Sequence, residues 1–131
     1  MNELAERWLS FAEEDLQVAQ LSLNEEIYNQ ACFHAQQCVE KLLKALIADV
    51  DEVPPKTHKL TDLLEIIPEN VLPEYRKDMR HLDRFYIPTR YPDALPGSLP
   101  EGLPNKDDAE AAVETAIQLV STVKNILKSS S

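Results

Sequence analysis

The sequence has very little glycine and contains no long hydrophobic run. Its only two glycines, Gly97 and Gly102, both lie in one proline-rich stretch, and apolar residues elsewhere recur at helical spacing. This pattern predicts an all-α protein. A membrane-spanning helix needs about 18 consecutive apolar residues and none occur, while the acidic start Met1-Asn2-Glu3 is unlike a secretory signal. We therefore expect a cytoplasmic protein.

Cysteine is also scarce, since Cys32 and Cys38 are the only two. They lie six residues apart on one predicted helix, a rise of about 9 Å, which is too far for a disulfide. A metal site built from Cys32, His34 and Cys38 is disfavoured, because the two sulfurs diverge around the helix axis and no second ligand cluster follows. We expect reduced core thiols, no metal and no cofactor.

Positive charge is the minority, and it is concentrated in one segment. The net charge is −10, which argues against a broad affinity for nucleic acid. Residues 75–91 nevertheless contain five basic and two acidic side chains, a local charge of +3: Arg76, Lys77, Arg80, Arg84 and Arg90 against Asp78 and Asp83. This basic segment is either a solvated helix face or a patch that binds an anionic ligand.

The first predicted helix covers about residues 2–23. Its apolar stripe consists of Leu4, Trp8, Phe11, Ala12, Leu16, Ala19 and Leu23. Asp15 falls within this stripe. Because an unpaired buried charge is very costly, Asp15 should either lie at the wet edge of the stripe or pair with a cation from another helix.

The second predicted helix, about residues 26–50, has the most regular apolar stripe and should be the central core helix. The stripe consists of Tyr28, Ala31, Cys32, Ala35, Cys38, Val39, Leu42, Leu43 and Leu46. The opposite face carries Phe33, Gln37, Glu40 and Lys44, so an aromatic ring stands among polar residues on a face expected to be wet. Either this face packs on a partner helix or a second copy, or Phe33 is a lone exposed aromatic.

Three further helices are predicted, over residues 58–67, 73–86 and 106–128. Thr57 should cap the first of these and Asn105 the last. Amphipathic helices joined by short connections pack antiparallel. The sequence therefore predicts an up-and-down bundle of four long helices plus one short helix, in a single domain over residues 1–128, with 129–131 a frayed tail.

The segment Phe85–Asp93 stands apart from the helices, because it combines three aromatic residues, an arginine and two prolines. Pro88 and Pro92 should keep the backbone of Thr89-Arg90-Tyr91 extended and stiff. The segment opens a connection, residues 87–104, that contains five prolines. Long connections inside a compact domain are more often functional than incidental, so this one is a candidate binding site.

Four blocks of the sequence resemble the HEPN domain family, in composition and in order. They are Trp8 with Ala12 and Asp15-Leu16, then residues 36–46, then Thr57-His58-Lys59-Leu60, and finally Thr89-Arg90-Tyr91-Pro92-Asp93. The resemblance covers nearly the whole chain. It implies a helical bundle that usually forms a homodimer, in a small stand-alone prokaryotic protein often encoded beside a minimal nucleotidyltransferase as a toxin–antitoxin pair.

The resemblance also implies a place to look for activity, because many HEPN proteins are metal-independent ribonucleases. Their signature is an arginine followed by four to six residues and a histidine, where the histidine acts as acid or base. After Arg90 those positions are Leu95, Pro96 and Gly97, and no histidine follows His81. The ribonuclease motif is therefore incomplete, and we expect a protein that is not an enzyme.

Arginine and tyrosine in this segment still suit a phosphate-bearing ligand. Candidate binding residues are Arg90, Tyr91, Asp93, Arg80 and Arg84. A guanidinium can hold a phosphate through two hydrogen bonds and a tyrosine can stack on a base, so a nucleotide or RNA is the natural ligand. Alternatively, Arg90 forms a buried ion pair with Asp15 and Tyr91 packs on the bundle.

Three hypotheses follow. The first is a non-catalytic HEPN protein that binds nucleotide or RNA as a homodimer, with a nucleotidyltransferase as a further partner. The second is a metal-independent ribonuclease toxin that uses Arg90 with His58 or His81. The third is a pure protein-interaction module that binds its partner through the face of Phe33, Gln37, Glu40 and Lys44.

Overall fold

The computed structural model describes residues 1–86 and 95–129, and their regular structure is helical. The helices are α1 (Glu3–Asn24), α2 (Tyr28–Asp49), α3 (Leu60–Ile66), α4 (Arg76–Leu82) and α5 (Lys106–Ser129). Within these two ranges the only β-type pairing is a single bridge between Leu99 and Gly102. No helix of the described chain is both long and apolar enough to cross a bilayer. The predicted all-α bundle is confirmed.

The bundle has three long helices rather than the predicted four. The fourth helical segment is a seven-residue α-helix between two short 3₁₀ turns, Pro73–Tyr75 and Asp83–Phe85. Leu72, just before this segment, has a left-handed backbone with a φ of 55°. Side chains at both ends of α4 bind α3, as described below, and this anchoring favours tight turns over a longer regular helix.

Helix α2 is the central element, as predicted, because it packs against each of the other four helices. The side-chain amide of Asn2, at the start of α1, donates to the carbonyl of Ala48 near the end of α2, so these two helices run antiparallel. Phe85 and Met79 bring the α4 segment into the same core. The core therefore lies where α1, α5 and the α3–α4 pair meet around α2.

The buried face of α1 is rotated from the predicted stripe. Ala5 and Leu9 are buried, whereas Leu4 and Phe11 are 45% and 46% exposed. The fully buried small residues recur every seven positions: Ala5, Ala12 and Ala19. Small side chains at two-turn spacing allow neighbouring helices to approach closely, and the bulkier Leu4 and Phe11 are left at the edge.

The start of α5 follows the sequence closely. Asn105 and Asp108 form a reciprocal cap, in which the backbone N–H of each donates to the side chain of the other at 3.0 and 2.9 Å. Such an arrangement satisfies backbone donors that have no partner within the helix. The predicted cap at Asn105 is confirmed, and the helix runs to Ser129; residues 130 and 131 of the predicted tail lie outside the described chain.

The start of α3 differs from prediction, since the helix begins at Leu60 rather than His58 and is not capped by Thr57. The Thr57 hydroxyl instead donates to Asp62. The carboxylate of Asp83 accepts the backbone N–H groups of Leu60 at 2.8 Å and Thr61 at 3.0 Å. A carboxylate can satisfy two amides and carries a charge that suits a helix N-terminus, so it replaces the local hydroxyl.

Candidate functional site

A buried carboxylate on α2 connects the helix core to a histidine at the surface. Glu40 is only 2% exposed, and its two oxygens contact Nζ of Lys44 at 3.0 Å and Nδ1 of His58 at 3.1 Å. Lys44 is itself 4% exposed, with its ammonium 5.3 Å from the ring centre of Trp8. The prediction that Glu40 and Lys44 face solvent is therefore wrong, because the α3–α4 side and Trp8 cover this face of α2.

His58 presents the accessible end of this cluster. Its side chain is 51% exposed, and its ring centre lies 5.4 Å from that of Tyr86. When Nδ1 carries the proton donated to Glu40, Nε2 has an unprotonated lone pair that can accept a proton or a hydrogen bond. Burial, together with the negative charge of Glu40, raises the pKa of Tyr86, so its hydroxyl stays protonated at neutral pH.

A side chain of α2 holds the backbone at His58. The side-chain amide of Gln36 donates to the carbonyl of His58 at 2.9 Å, and Gln37 donates to the Gln36 side chain at 2.7 Å. Gln36 also contacts Asp83, which caps α3. The imidazole is thus positioned by contacts to both its side chain and its main chain. We call Glu40, Lys44, His58 and Tyr86 the His58 cluster.

Only part of the basic segment remains available to a ligand. Arg76 is used structurally, because its guanidinium donates to the backbone carbonyl of Leu64 in α3 and to those of Ile67, Pro68 and Val71 beyond it. Arg84 is half-buried, donates to the carbonyl of His81 and lies over the ring of Phe85 at 5.0 Å. Arg80 is exposed. Arg90, Tyr91 and Asp93 lie outside the described residues.

Two hollows adjoin the remaining arginines. Arg84 lines one of about 180 Å³ between α4 and α5, which also contains Asp107 and Asp108. Arg80 lines a wider one of about 500 Å³, which also contains Glu65 and Glu69. Carboxylates interrupt the positive charge in both places. The described part of the basic segment therefore does not form a continuous cationic surface.

Asp15 belongs to a second polar cluster, at the seam between α1 and α2. Its carboxylate contacts Nδ1 of His34 at 2.9 Å and also binds the ammonium of Lys41. Burial works to raise the pKa of Asp15, but the hydrogen bonds and positive charge of His34 and Lys41 outweigh it and hold the pKa below its usual value. Asp15 is therefore buried and paired with Lys41 and His34 of α2. The predicted pairing with Arg90 falls outside the described residues.

We expect Asp15→Asn to lower the free energy of unfolding by about 1 to 2 kcal/mol at neutral pH, because Lys41 and His34 lose a charged partner. A depressed folded-state pKa contributes stability above the unfolded-state pKa of about 4, and this contribution is lost as pH falls further. Urea unfolding at pH 7 and pH 3 should show the difference between variant and wild type shrinking at pH 3. The exposed Glu110→Gln is the control, and a difference independent of pH would contradict the assignment.

The two cysteines are buried and unpaired. Burial raises the pKa of Cys32 to about 12 and places that of Cys38 well above its usual value, so both remain thiols. Among the described residues, no three histidine, cysteine or carboxylate side chains are grouped closely enough to hold a metal ion.

The outer face of α2 retains two of its four predicted partner-binding residues at the surface. Phe33 and Gln37 are half-exposed. The Phe33 ring packs edge-on against His34 with centres 5.4 Å apart. Their role in binding a partner stays a prediction.

The sequence pattern did not reveal the pairing of Glu40 with His58. The two residues stand 18 positions apart, and His58 lies before α3 rather than inside it. Nothing in the sequence set Glu40 apart, because Gln36, Gln37 and Lys44 lie one turn away on the same side of the helix. Its partner could not be identified without knowing how the loop before α3 crosses α2.

Comparison with known proteins places this geometry in a family. The HEPN domain model matches residues 5–126. The chain is 28% identical over 135 residues to "Putative toxin MJ1304" of Methanocaldococcus jannaschii, covering 95% of this chain and 88% of that protein.

Two solved structures are similar over nearly their whole length. TT1696 from Thermus thermophilus matches with a TM-score of 0.77 and 36% identity, covering 95% of this chain and 98% of that one. ST0689, described as an archaeal HEPN homologue, matches with a TM-score of 0.73 and 30% identity, covering 96% and 99%. With its helical bundle and near-complete domain match, the chain belongs to the HEPN domain family.

Proposed function

We propose that this HEPN protein binds a nucleotide or single-stranded RNA, without cleaving it, and that His58, Tyr86 and Arg90 are its binding residues. The observation that supports this most directly is the half-exposed His58 ring, anchored by Glu40 and 5.4 Å from the ring of Tyr86. Aromatic side chains at a protein surface suit stacking on bases, which tolerates any base sequence.

Phosphate recognition is assigned to the arginine four residues beyond Tyr86. A guanidinium can form two parallel hydrogen bonds to a phosphate, and Arg90 follows the aromatic pair directly in sequence. Arg80 and Arg84 add positive charge from the α4 side. Because the chain as a whole carries a charge of −10, binding should depend on this local group and not on a general attraction to polyanions.

The biological setting is part of the same proposal. We assign the protein to a toxin–antitoxin pair, in which it acts as a homodimer and a minimal nucleotidyltransferase is its partner. Support comes from the toxin name of the Methanocaldococcus jannaschii relative and from the family resemblance of the sequence. The direct check on this pairing is to express the protein together with the product of its neighbouring gene and to test whether the two co-purify.

The binding proposal predicts that Arg90→Ala and His58→Ala each weaken binding by about tenfold or more, since stacking or a charged phosphate contact contributes about 1 to 3 kcal/mol. Fluorescence anisotropy with labelled single-stranded RNA, and with a labelled adenine nucleotide, measures this. Lys124→Ala, which removes one positive charge from α5, is the matched control and should bind like wild type.

Thermal unfolding of the same variants separates binding from stability. Arg90→Ala should unfold within a degree or two of wild type. A large loss of stability, equalled by Asp15→Ala, would instead favour the buried ion pair between these residues. If wild type binds neither ligand, the proposal fails and a protein-interaction module becomes the better account.

A metal-independent ribonuclease is the second candidate, and the Glu40–His58 contact specifically favours it. A histidine whose Nδ1 is held by a buried carboxylate is a common arrangement for a general acid or base. Incubating the same RNA in the presence of EDTA tests this. RNA that stays intact supports binding without cleavage, whereas cleavage that persists in His81→Ala and disappears in His58→Ala would establish the ribonuclease.

A further inference from the structure

A hollow of about 350 Å³ lies between the last turns of α2, α3 and α5. Its walls are apolar side chains of these three helices and of the residues after α3, among them Leu46, Val50, Ile66, Ile67, Val71 and Ile126. Small-molecule sites in proteins are concave spaces of about 300 to 1,000 Å³ with mostly apolar walls. In size and lining, this hollow therefore matches a site for a small ligand.

Two of the apolar side chains in these walls are open to water. Val50 is 68% exposed and Ile66 is 50% exposed, although both line the hollow. A single exposed apolar residue is ordinary at a protein surface, whereas exposed apolar residues around one concave space leave a shared area in contact with solvent. A ligand with an apolar body would remove this area from water, which is favourable.

Arg76 holds the wall that follows α3. Its guanidinium donates to the backbone carbonyls of Ile67, Pro68 and Val71, and all three of these residues line the hollow. The carbonyls are therefore already hydrogen-bonded, so this wall offers a ligand its apolar side chains. A wall that is fixed before the ligand arrives needs little ordering on binding, which favours affinity.

The charged side chains that line the hollow are both carboxylates, Asp49 and Glu52. Asp49 accepts the backbone N–H of Asn2 at 3.2 Å and is thus engaged with the start of α1. Glu52 is exposed and forms no ion pair within the described chain. No lysine, arginine or histidine is among the described residues of the lining. Negative charge beside apolar walls attracts a cation and repels an anion.

From this combination we infer that the hollow binds a small amphiphilic amine, with its aliphatic or aromatic body against the apolar walls and its ammonium group beside Glu52. Charge complementarity selects this class over fatty acids and nucleotides, which carry the same sign of charge as the two carboxylates. His58 and Tyr86 do not line the hollow, so the inference goes beyond the proposed function and does not depend on RNA binding.

Octyltrimethylammonium, titrated below the concentration at which it forms micelles, is the probe for this site. NMR of protein with labelled isoleucine and valine methyl groups should show saturable shifts centred on Ile66, Val71 and Ile126. Octyl sulfate has the same chain and a negative head group, and it should bind about threefold more weakly or worse. Equal binding of the two probes, or shifts spread over the whole surface, would overturn the inference.

Glu52→Gln tests the position of the ammonium group. It should weaken octyltrimethylammonium binding by about threefold, because the exposed ion pair is lost. Glu14→Gln removes the same charge from an exposed position of α1 that does not line the hollow, and it should bind like wild type. Equal effects of the two substitutions would mean that the net charge of −10, and not Glu52, attracts the probe, and the assignment would be wrong.

Val71→Trp tests the apolar walls, because a larger side chain in the hollow should weaken binding by about tenfold or more. Ile66→Gln, at a half-exposed position, keeps the test valid if the tryptophan variant fails to fold by circular dichroism. It should also weaken binding, whereas Leu21→Gln, at a similarly exposed position of α1, should not. A wild type that dimerises in sedimentation velocity and becomes monomeric in Ile66→Gln would assign the hollow to a second copy and refute the amine site.

Discussion

Replacing Glu40 with leucine is expected to lower the free energy of unfolding by about 3 to 5 kcal/mol, because it leaves a buried charge without its partner. Lys44 would keep its charge while almost fully buried, with its carboxylate partner at 3.0 Å removed. His58 would lose the acceptor that holds its ring. Unfolding in guanidinium chloride, followed by the fluorescence of Trp8, measures the loss of stability. Trp8 is the only tryptophan, and its ring lies beside Lys44.

The double variant Glu40→Leu/Lys44→Met is the control for this prediction. Removing both charges leaves no uncompensated ion, and an apolar pair of similar volume is often as stable as the buried ion pair it replaces. Most of the lost stability should therefore return. A single variant that loses less than about 1 kcal/mol would mean that Lys44 reaches solvent or another partner when Glu40 is absent.

The same double variant separates stability from function in the His58 cluster. Its stability should be close to wild type, but Nδ1 of His58 no longer has a carboxylate partner. If the fixed orientation of His58 matters for binding, affinity for single-stranded RNA should fall even though the bundle remains folded. Unchanged affinity would show that Glu40 serves the core alone.

Arg76→Ala is expected to lower the free energy of unfolding by about 2 to 3 kcal/mol, because one charged side chain satisfies several carbonyl groups at the end of α3. The guanidinium reaches the carbonyls of Leu64 at 3.1 Å, Ile67 at 3.2 Å and Val71 at 3.0 Å. Leu64 and Ile67 lie at the end of α3, where the last carbonyl groups of a helix lack partners within it. The same unfolding experiment measures the effect.

Lys77→Ala, at the exposed neighbouring position, is the matched control and should change stability by less than about 0.5 kcal/mol. Arg76→Lys should recover only part of the loss, because an ammonium cannot reproduce the planar fork of donors. Equal effects at positions 76 and 77 would indicate that overall charge, and not the contacts to α3, governs stability.

Much of the fold could be predicted from local pattern. The three long helices begin and end within two residues of their predicted bounds, and Asn105 caps α5 as expected. Periodicity and capping act over a few neighbouring residues, so the sequence contains the necessary information. The pairing of Asp15 was also accessible, because a charge within an apolar stripe needs a partner even when that partner is unknown.

Features that depend on contacts between distant segments could not be predicted. The direction in which Glu40 and Lys44 point depends on Trp8 and on the loop carrying His58. The cap of α3 comes from Asp83, and Arg76 binds carbonyls at and after the end of α3, although the sequence left open whether its basic segment is a solvated face or a binding patch. Each of these interactions requires the positions of elements that sequence periodicity leaves open.

The sequence by itself determined the helical class, the order of the helices and the family, since all three follow from periodicity, caps and short motifs. Only the tertiary structure decided which polar residues are buried and with which partners. The physical reason is that a helix can rotate about its axis at small cost in local energy, whereas burying a charge requires a specific partner brought from elsewhere in the chain. The His58 cluster exists because folding brings Glu40 and His58 together.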